Sequence, residues 1–266
     1  MQKIYIGLTL AISAVLAGSP LLAQQDSGAG DTSTAVEALA KAPATADPAA
    51  VVPETVYKTA ADGSVCELHV WPTENYIGIN TGILSGFGIV GALADVAAHE
   101  GRVKTVKDLM KDYLGPEIQK EELTKLGINE TLKLDGYKII WQEPTPFNED
   151  AKDNPELKAK IKAMNAKIKG KQRLSDSTAP CYAELTTTHI FYHKAMMYGS
   201  NLFTGWIYRE FDGPKQTKVG KGQVKNPLEN FPPKTEDMIE PAKLELRDAY
   251  AKDFTEYVQK KVFRAR

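Results

Sequence analysis

The strongest chemical pattern in the chain is a run of basic side chains with no acidic residue among them. Between positions 157 and 173 these are Lys158, Lys160, Lys162, Lys167, Lys169, Lys171 and Arg173. An apolar stripe at helical spacing runs through the same segment: Leu157, Ile161, Met164 and Ile168. Asn154 and Pro155 are typical of an N-cap and a first turn, and Gly170 is typical of a helix end. The segment is therefore predicted to form a basic amphipathic helix.

A basic amphipathic helix can lie on an anionic membrane surface or bind an acidic partner, here an envelope protein. The alternative is a solvated helix face whose charge is balanced by the acidic residues of the preceding loop, 143–156. No aromatic residues interleave the lysines, so we expect no binding to nucleic acid.

The chain has two cysteines, Cys66 and Cys181, and each begins a run of strand-like residues. Residues 1–23 are typical of an export signal, and an even number of cysteines in an exported chain favours a disulfide between them. Because both cysteines open a strand, a bond between them favours a parallel or same-end arrangement of the two strands. Two unpaired buried thiols are the alternative.

The histidines could ligate a metal ion only in a particular local structure. His189 and His193 are four residues apart, a spacing that forms half of a metal site on a helix. Their β-branched and aromatic neighbours predict a strand instead, where four residues separate two side chains by about 13 Å. If Cys66 and Cys181 are joined, His69 points to the opposite face from His189, so a site of three histidines needs a bulge in the strand or a missing disulfide. We therefore expect no metal site.

A glycine pattern resembles the spacing of a dinucleotide-binding loop. Gly86, Gly88 and Gly91 have this spacing, but the strand with an acidic end that should follow about 20 residues later is missing. We therefore expect no bound cofactor. The segment 82–98 is predicted to be a helix of small residues, and these residues serve either as core or as an interaction surface.

Glu67 and His69 lie on one face of a predicted strand and could form a carboxylate–imidazole pair for acid–base catalysis. Such a pair is common by chance, and Gly82–Gly86 does not match a nucleophile elbow. An enzyme is therefore the less favoured function. A secreted hydrolase that uses this histidine and carboxylate is the alternative function.

The remaining segments predict how these residues are positioned. Helices are expected over 103–114, 117–126 and 241–263, and strands over 65–71, 181–194 and 202–211. A hairpin is expected over 131–141; the alternative keeps 128–134 helical and leaves only 137–142 as a strand. Residues 212–236 are polar and rich in Gly, Pro and Lys, which predicts a loop. We predict an α+β fold, with a mixed or antiparallel sheet of about four to five strands packed by several helices, including a long C-terminal helix.

The N-terminal part differs in composition from the rest of the chain. Residues 1–23 combine Lys3, an apolar run and the break Gly18–Pro20, which together are typical of a secretory signal peptide. Residues 24–55 are rich in Ala, Pro and Thr and contain no aromatic residue, which predicts a flexible linker. Residues 56–266 are predicted to form a single α+β domain. The apolar run is too short to span a membrane, so we expect no transmembrane segment in the mature chain.

Composition narrows the class of function without identifying a reaction. The 266 residues, 42% hydrophobic and 25% charged, argue against a disordered chain or a multi-span membrane protein. A formal net charge of −1 gives no overall attraction to nucleic acid. We predict an exported protein, periplasmic or extracellular, that acts as a non-enzymatic binding or structural component of the cell envelope.

Overall fold

The structure, a computed structural model, describes residues 56–81, 105–146, 151–195 and 199–264. All of them belong to one unit of the chain, Pro53–Arg266. The predicted signal peptide, the predicted linker and the predicted helix over 82–98 lie outside the described residues. Over the described residues, none of the helices combines the length and the hydropathy that a membrane crossing requires.

The described elements follow one another without a regular alternation of strands and helices. In chain order they are β1 (Glu67–Trp71), β2 (Tyr76–Thr81), α1 (Val106–Tyr113), α2 (Pro116–Lys125), α3 (Ile128–Leu132), β3 (Lys138–Trp141), α4 (Pro155–Lys169), β4 (Cys181–Ala195), β5 (Gly199–Asp212), β6 (Lys215–Leu228) and α5 (Ile239–Tyr257). A 3-10 turn, Glu236–Met238, precedes α5, and a π-helical turn, Val258–Val262, continues it.

The described strands form one mixed sheet. Its order is β3-β1-β4-β5-β6, and β2 also pairs with β4. The long β4 has two parallel partners on one side, since β1 pairs with Tyr182–Thr186 and β2 with Ile190–Ala195. β3 is parallel to β1, whereas β4, β5 and β6 are antiparallel neighbours. A mixed sheet packed by helices, with a long helix at the C-terminus, confirms the predicted α+β class.

The predicted loop over 212–236 is wrong for most of its length, because Lys215–Leu228 forms strand β6. β6 is the edge strand of the sheet, where exposed lysines are tolerated and common. Its glycines have a packing reason: a Cβ atom on Gly220 would lie 2.9 Å from Val262 Cγ2. The lysines and glycines that predict a loop are therefore compatible with a strand, because the lysines lie at the solvated sheet edge and Gly220 packs closely against Val262.

The predicted hairpin over 131–141 is also wrong, and the alternative reading is confirmed. Residues Ile128–Leu132 form helix α3, and Lys133 ends it in the left-handed conformation with φ 58°. The amide of Leu134 then donates to the carbonyl of Asn129 at 2.8 Å, which closes the turn. β3 therefore pairs with β1 rather than with the segment before it.

Helix α5 packs against β5 and β6 and forms the main core with them. Trp206 of β5 lies against Tyr250, Phe254 and Tyr257, with ring centroids 5.7, 5.7 and 5.2 Å apart. All four side chains are buried. Aromatic pairs at these separations contribute about 0.5–1.5 kcal/mol each beyond the area that they bury. The side of α5 that carries these aromatic residues is therefore the side that faces the sheet.

One carboxylate, Asp253, is buried in this packing. It accepts hydrogen bonds from Thr204 Oγ1 at 2.8 Å and from Asn226 Nδ2 at 2.7 Å. Burial raises the pKa of Asp253 to about 7, even though these two hydrogen bonds favour the charged form; the charge of Glu256 adds to the increase. Deprotonation of Asp253 therefore opposes folding.

We expect Asp253→Asn to remove a pH-dependent loss of stability. The folded pKa of about 7 lies above the ordinary value of 3.8, so the wild-type free energy of unfolding falls as pH rises from about 4 to about 7. At about 1.4 kcal/mol per pKa unit, the free energy of unfolding of the variant minus that of wild type grows by up to about 4 kcal/mol over that range. Urea denaturation at several pH values measures this difference in the free energy of unfolding. The control is Asp248→Asn, which changes an exposed carboxylate on the same helix. A difference that is flat from pH 4 to 8 would contradict this assignment.

Candidate functional site

A disulfide joins the starts of β1 and β4. Cys66 and Cys181 are bonded, with their Cα atoms 4.9 Å apart. β1 and β4 run in parallel from this bond, which is the arrangement that the sequence favours. In the chain-entropy view, a crosslink across 115 residues destabilises the unfolded state by about 4–5 kcal/mol.

The predicted face of His189 is wrong, because β4 contains a bulge. The pairing of β4 with β5 shifts register between Thr187 and His189. An extra residue in one strand reverses the side-chain alternation beyond it. Leu185 before the bulge and Ile190 after it both face the main core. His189 therefore lies on the opposite face of the sheet from that core, which is the face that carries His69.

The bulge does not bring the histidines together into a metal site. His69 pairs in register with Glu184, five positions before His189 on the same strand. His189 Nε2 instead lies 3.1 Å from Gln223 Oε1. In the described ranges, no group of three His, Cys, Asp or Glu side chains is placed to hold a metal ion.

The predicted pair of Glu67 and His69 exists and lines an open groove of about 600 Å³. His69 Nε2 lies 2.8 Å from Glu67 Oε2, and Gln142 Nε2 donates to His69 Nδ1 at 2.9 Å. Because the Gln142 amide nitrogen can only donate, the proton of His69 sits on Nε2 and is donated to Glu67. Ser177 Oγ also donates to Glu67 Oε2.

This geometry does not form a nucleophile–base pair. Ser177 bonds to the carboxylate and not to the imidazole, so Glu67 would have to accept its proton. Burial by itself raises the pKa of Glu67, but the hydrogen bonds from His69 and Ser177 outweigh it and hold the pKa below its usual value. A carboxylate with a lowered pKa is a weak base. The three side chains act as a link between β1 and the segment before β4.

That segment, residues 171–180, is called the strap here; it joins α4 to β4 and lies over the sheet. Arg173 holds its middle, with the guanidinium 4.4 Å from the ring centroid of Tyr182 and Nη1 donating to the carbonyl of Ser177 at 2.8 Å. Arg173 Nη2 also donates to the carbonyl of Gly213. The guanidinium of Arg173 is therefore engaged inside the protein.

Beneath the strap, Glu184 of β4 and Arg209 of β5 form a buried ion pair. Their side chains are 0% and 2% exposed, and Arg209 Nη2 donates to Glu184 Oε2. The strap completes the pair: the amide of Leu174 donates to Glu184 Oε1 at 2.5 Å, and Arg209 Nη1 donates to the carbonyl of Gln172 at 2.9 Å. Tyr182 donates a further hydrogen bond to Glu184 Oε1 at 2.7 Å. Sequence reasoning missed this pair, although Glu184 and Arg209, charges of opposite sign within two predicted strands, were the available signal.

Helix α4, which precedes the strap, has the predicted ends. Asn154 Oδ1 accepts from the amides of Glu156 and Leu157, both at 3.1 Å, and Gly170 is the C-cap. None of its residues is fully buried. Its apolar stripe lies over a cavity of about 240 Å³, whose lining includes Ile161, Met164 and Ile168 from α4 and Thr186, His189 and Ile207 from the sheet. α4 therefore lies on the sheet face opposite α5.

The structure divides the seven predicted contact residues into three groups. Lys158, Lys162, Lys169 and Lys171 are exposed and have no carboxylate partner among the described residues. Lys160 is exposed but lies 2.6 Å from Glu143 Oε2. Lys167 donates to the carbonyl of Leu174 at 3.0 Å and lies 3.6 Å from Asp176 Oδ1. Arg173 is half-buried, and its guanidinium contacts the strap, Gly213 and Tyr182. The helix thus presents a row of exposed ammonium groups.

Comparison with known proteins assigns no family and no function to this geometry. No family model matches the chain, and no curated protein matches it. The crystal structure of lipoprotein GNA1162 from Neisseria meningitidis aligns over 70% of this chain and 99% of that one, at 11% identity. The TM-score of 0.22 is too low for this alignment to support an argument about fold or function.

We expect Arg209→Met to destabilise the protein strongly. It leaves Glu184 buried without its counter-charge, which costs about 3–5 kcal/mol in free energy of unfolding. Adding Glu184→Gln should recover part of that loss, because the amide oxygen still accepts from Leu174 while the buried charge is gone. Chemical denaturation measures both variants. Lys218→Met is the control, since it breaks the half-exposed pair with Glu210 and should cost less than about 1 kcal/mol. An Arg209→Met loss no larger than that of the control would contradict the assigned role.

Proposed function

We propose that this chain is exported and acts as a binding or structural component of the cell envelope, contacting an anionic membrane surface through α4. The observation that carries the proposal is the row of exposed lysines on α4 and at the start of the strap. Lys158, Lys162 and Lys169 of α4 and Lys171 just after it have no carboxylate partner in the described residues. The apolar stripe of the helix faces the sheet, so the exposed lysines are open to a partner. A row of this kind complements a surface of negative charge.

Export is supported by two features of the chain. Residues 1–23 have the pattern of a signal peptide, and the disulfide is of the kind that persists in oxidising compartments. The exported protein should begin near Gln24 and carry no free thiol. Intact mass and thiol titration of the unreduced protein measure both properties, and retention of residues 1–23 or two free thiols would contradict export by this route.

The electrostatic energies are sufficient for reversible binding. A lysine close to an anionic membrane surface contributes about 1 kcal/mol, and this attraction decays over a Debye length of about 8 Å at physiological salt. Four or five lysines on one helix therefore give an affinity that is appreciable at low salt and weak at high salt. The folded core is not needed for this attraction, so removing the charges should leave stability almost unchanged.

We expect the double variant Lys162→Gln and Lys169→Gln to bind anionic vesicles at least ten-fold more weakly than wild type, because each lysine contributes about five-fold. Co-sedimentation with vesicles that contain anionic lipid at low salt measures the affinity. Lys111→Gln with Lys252→Gln removes the same charge from α1 and α5, on the other face, and should change it little. Unfolding free energies should stay within about 0.5 kcal/mol of wild type, as for surface changes.

Two outcomes would contradict the proposal. If the wild-type protein does not bind anionic vesicles at low salt, the lysines are only a solvated helix face. Equal weakening by the control double variant would show that total charge, and not α4, determines binding.

A further inference from the structure

Strand β6 presents alternate side chains to opposite faces of the sheet. Gly220 and Gly222 face the C-terminal helix, since a Cβ atom on either would lie within about 3 Å of Val262 or Lys261. The residues between and beyond them therefore face the other way. Two contacts agree with this: Gln223 Oε1 lies 3.1 Å from His189 Nε2, and Lys225 Nζ lies 5.7 Å from the ring centroid of Phe203.

This outward face of β6 is a neighbour of α4. Lys221 pairs in register with Ile207, and Ile207 lines the cavity beneath α4. Lys225 lies two register positions further along, opposite Phe203. Both lysines are exposed. The basic surface therefore continues from α4 onto the edge of the sheet.

The same face contains an exposed apolar side chain and no carboxylate along these strands. Val219, opposite Arg209, is 55% exposed. The outward positions are alternate residues, from Asn201 to Arg209 on β5 and from Val219 to Pro227 on β6. None of these residues is acidic, so nothing among them offsets the lysines.

We propose that Val219, Lys221 and Lys225 of β6 form a second contact element beside α4, and that the partner of this two-element surface is an anionic lipid bilayer. This inference rests on the proposed function of α4 and extends it. A bilayer is broad enough to meet a helix and a strand edge together, and it offers both negative headgroups and an apolar layer. An exposed valine beside lysines suits that layered partner, because interfacial binding combines apolar insertion with attraction to anionic lipid.

The first test compares two double variants. Lys221→Gln with Lys225→Gln should bind anionic vesicles at least ten-fold more weakly than wild type at low salt, at about five-fold per lysine. The control is again Lys111→Gln with Lys252→Gln, which removes two lysines from the opposite face and should bind like wild type. If the β6 variant binds like wild type while the α4 variant is weakened, this inference fails and the proposed function stands.

The second test asks whether Val219 enters the lipid. A tryptophan at Val219 should shift its emission to shorter wavelength with anionic vesicles, in difference spectra against wild type. Leu244→Trp is the matched control, since Leu244 is 61% exposed on α5, on the other face, and should show no shift. No shift at position 219, or equal shifts at both positions, would overturn the bilayer assignment. Binding to polyglutamate without binding to vesicles would overturn it as well and assign the surface to an acidic protein.

Discussion

The position of α4 depends on the buried ion pair between Glu184 and Arg209. A buried charge is tolerated only when its counter-charge and its remaining hydrogen bonds are satisfied. Here the strap supplies two of those bonds, from the amide of Leu174 and to the carbonyl of Gln172. The pair is therefore complete only while the strap lies across the sheet. Since the strap begins just after Gly170, the same bonds fix the C-terminal end of α4.

Two features of β4 determine which of its side chains lie on each face of the sheet. The disulfide at Cys181 fixes the start of β4 beside the start of β1, with Leu68 and Ala183 in the main core. The bulge after Thr187 then reverses the alternation, so Ile190 and Tyr192 return to the core and His189 does not. One face is thereby covered by α5 and its aromatic side chains. Among the described residues, the strap, α4 and the outward residues of β6 lie on the other face.

The parts of the fold that local signals determine were predictable from the sequence. The ends of α4 follow from Asn154, Pro155 and Gly170, and the buried side of α5 follows from its apolar spacing. The parallel start of β1 and β4 follows from the two cysteines. In each of these cases, a few neighbouring residues or one covalent bond determine the local structure.

The parts that were missed depend on contacts between distant segments. β6 has the composition of a loop, and only its place at the sheet edge beside Val262 makes its lysines and glycines compatible with a strand. The bulge after Thr187 leaves no mark in the sequence, yet it changes the face of His189. Arg173 belongs to the basic run by composition, but the carbonyls of Ser177 and Gly213 and the ring of Tyr182 hold it inside.

We propose that one face of the sheet, formed by α4 and the outward side of β6, meets an anionic bilayer. Hydrogen–deuterium exchange of the full chain, with anionic vesicles and with zwitterionic vesicles, tests it most directly because it reports on every segment at once. We expect slower exchange over 155–171 and 219–225 with anionic vesicles only, and no change over 239–257. Unchanged exchange in the first two segments, or protection confined to α5, would contradict it.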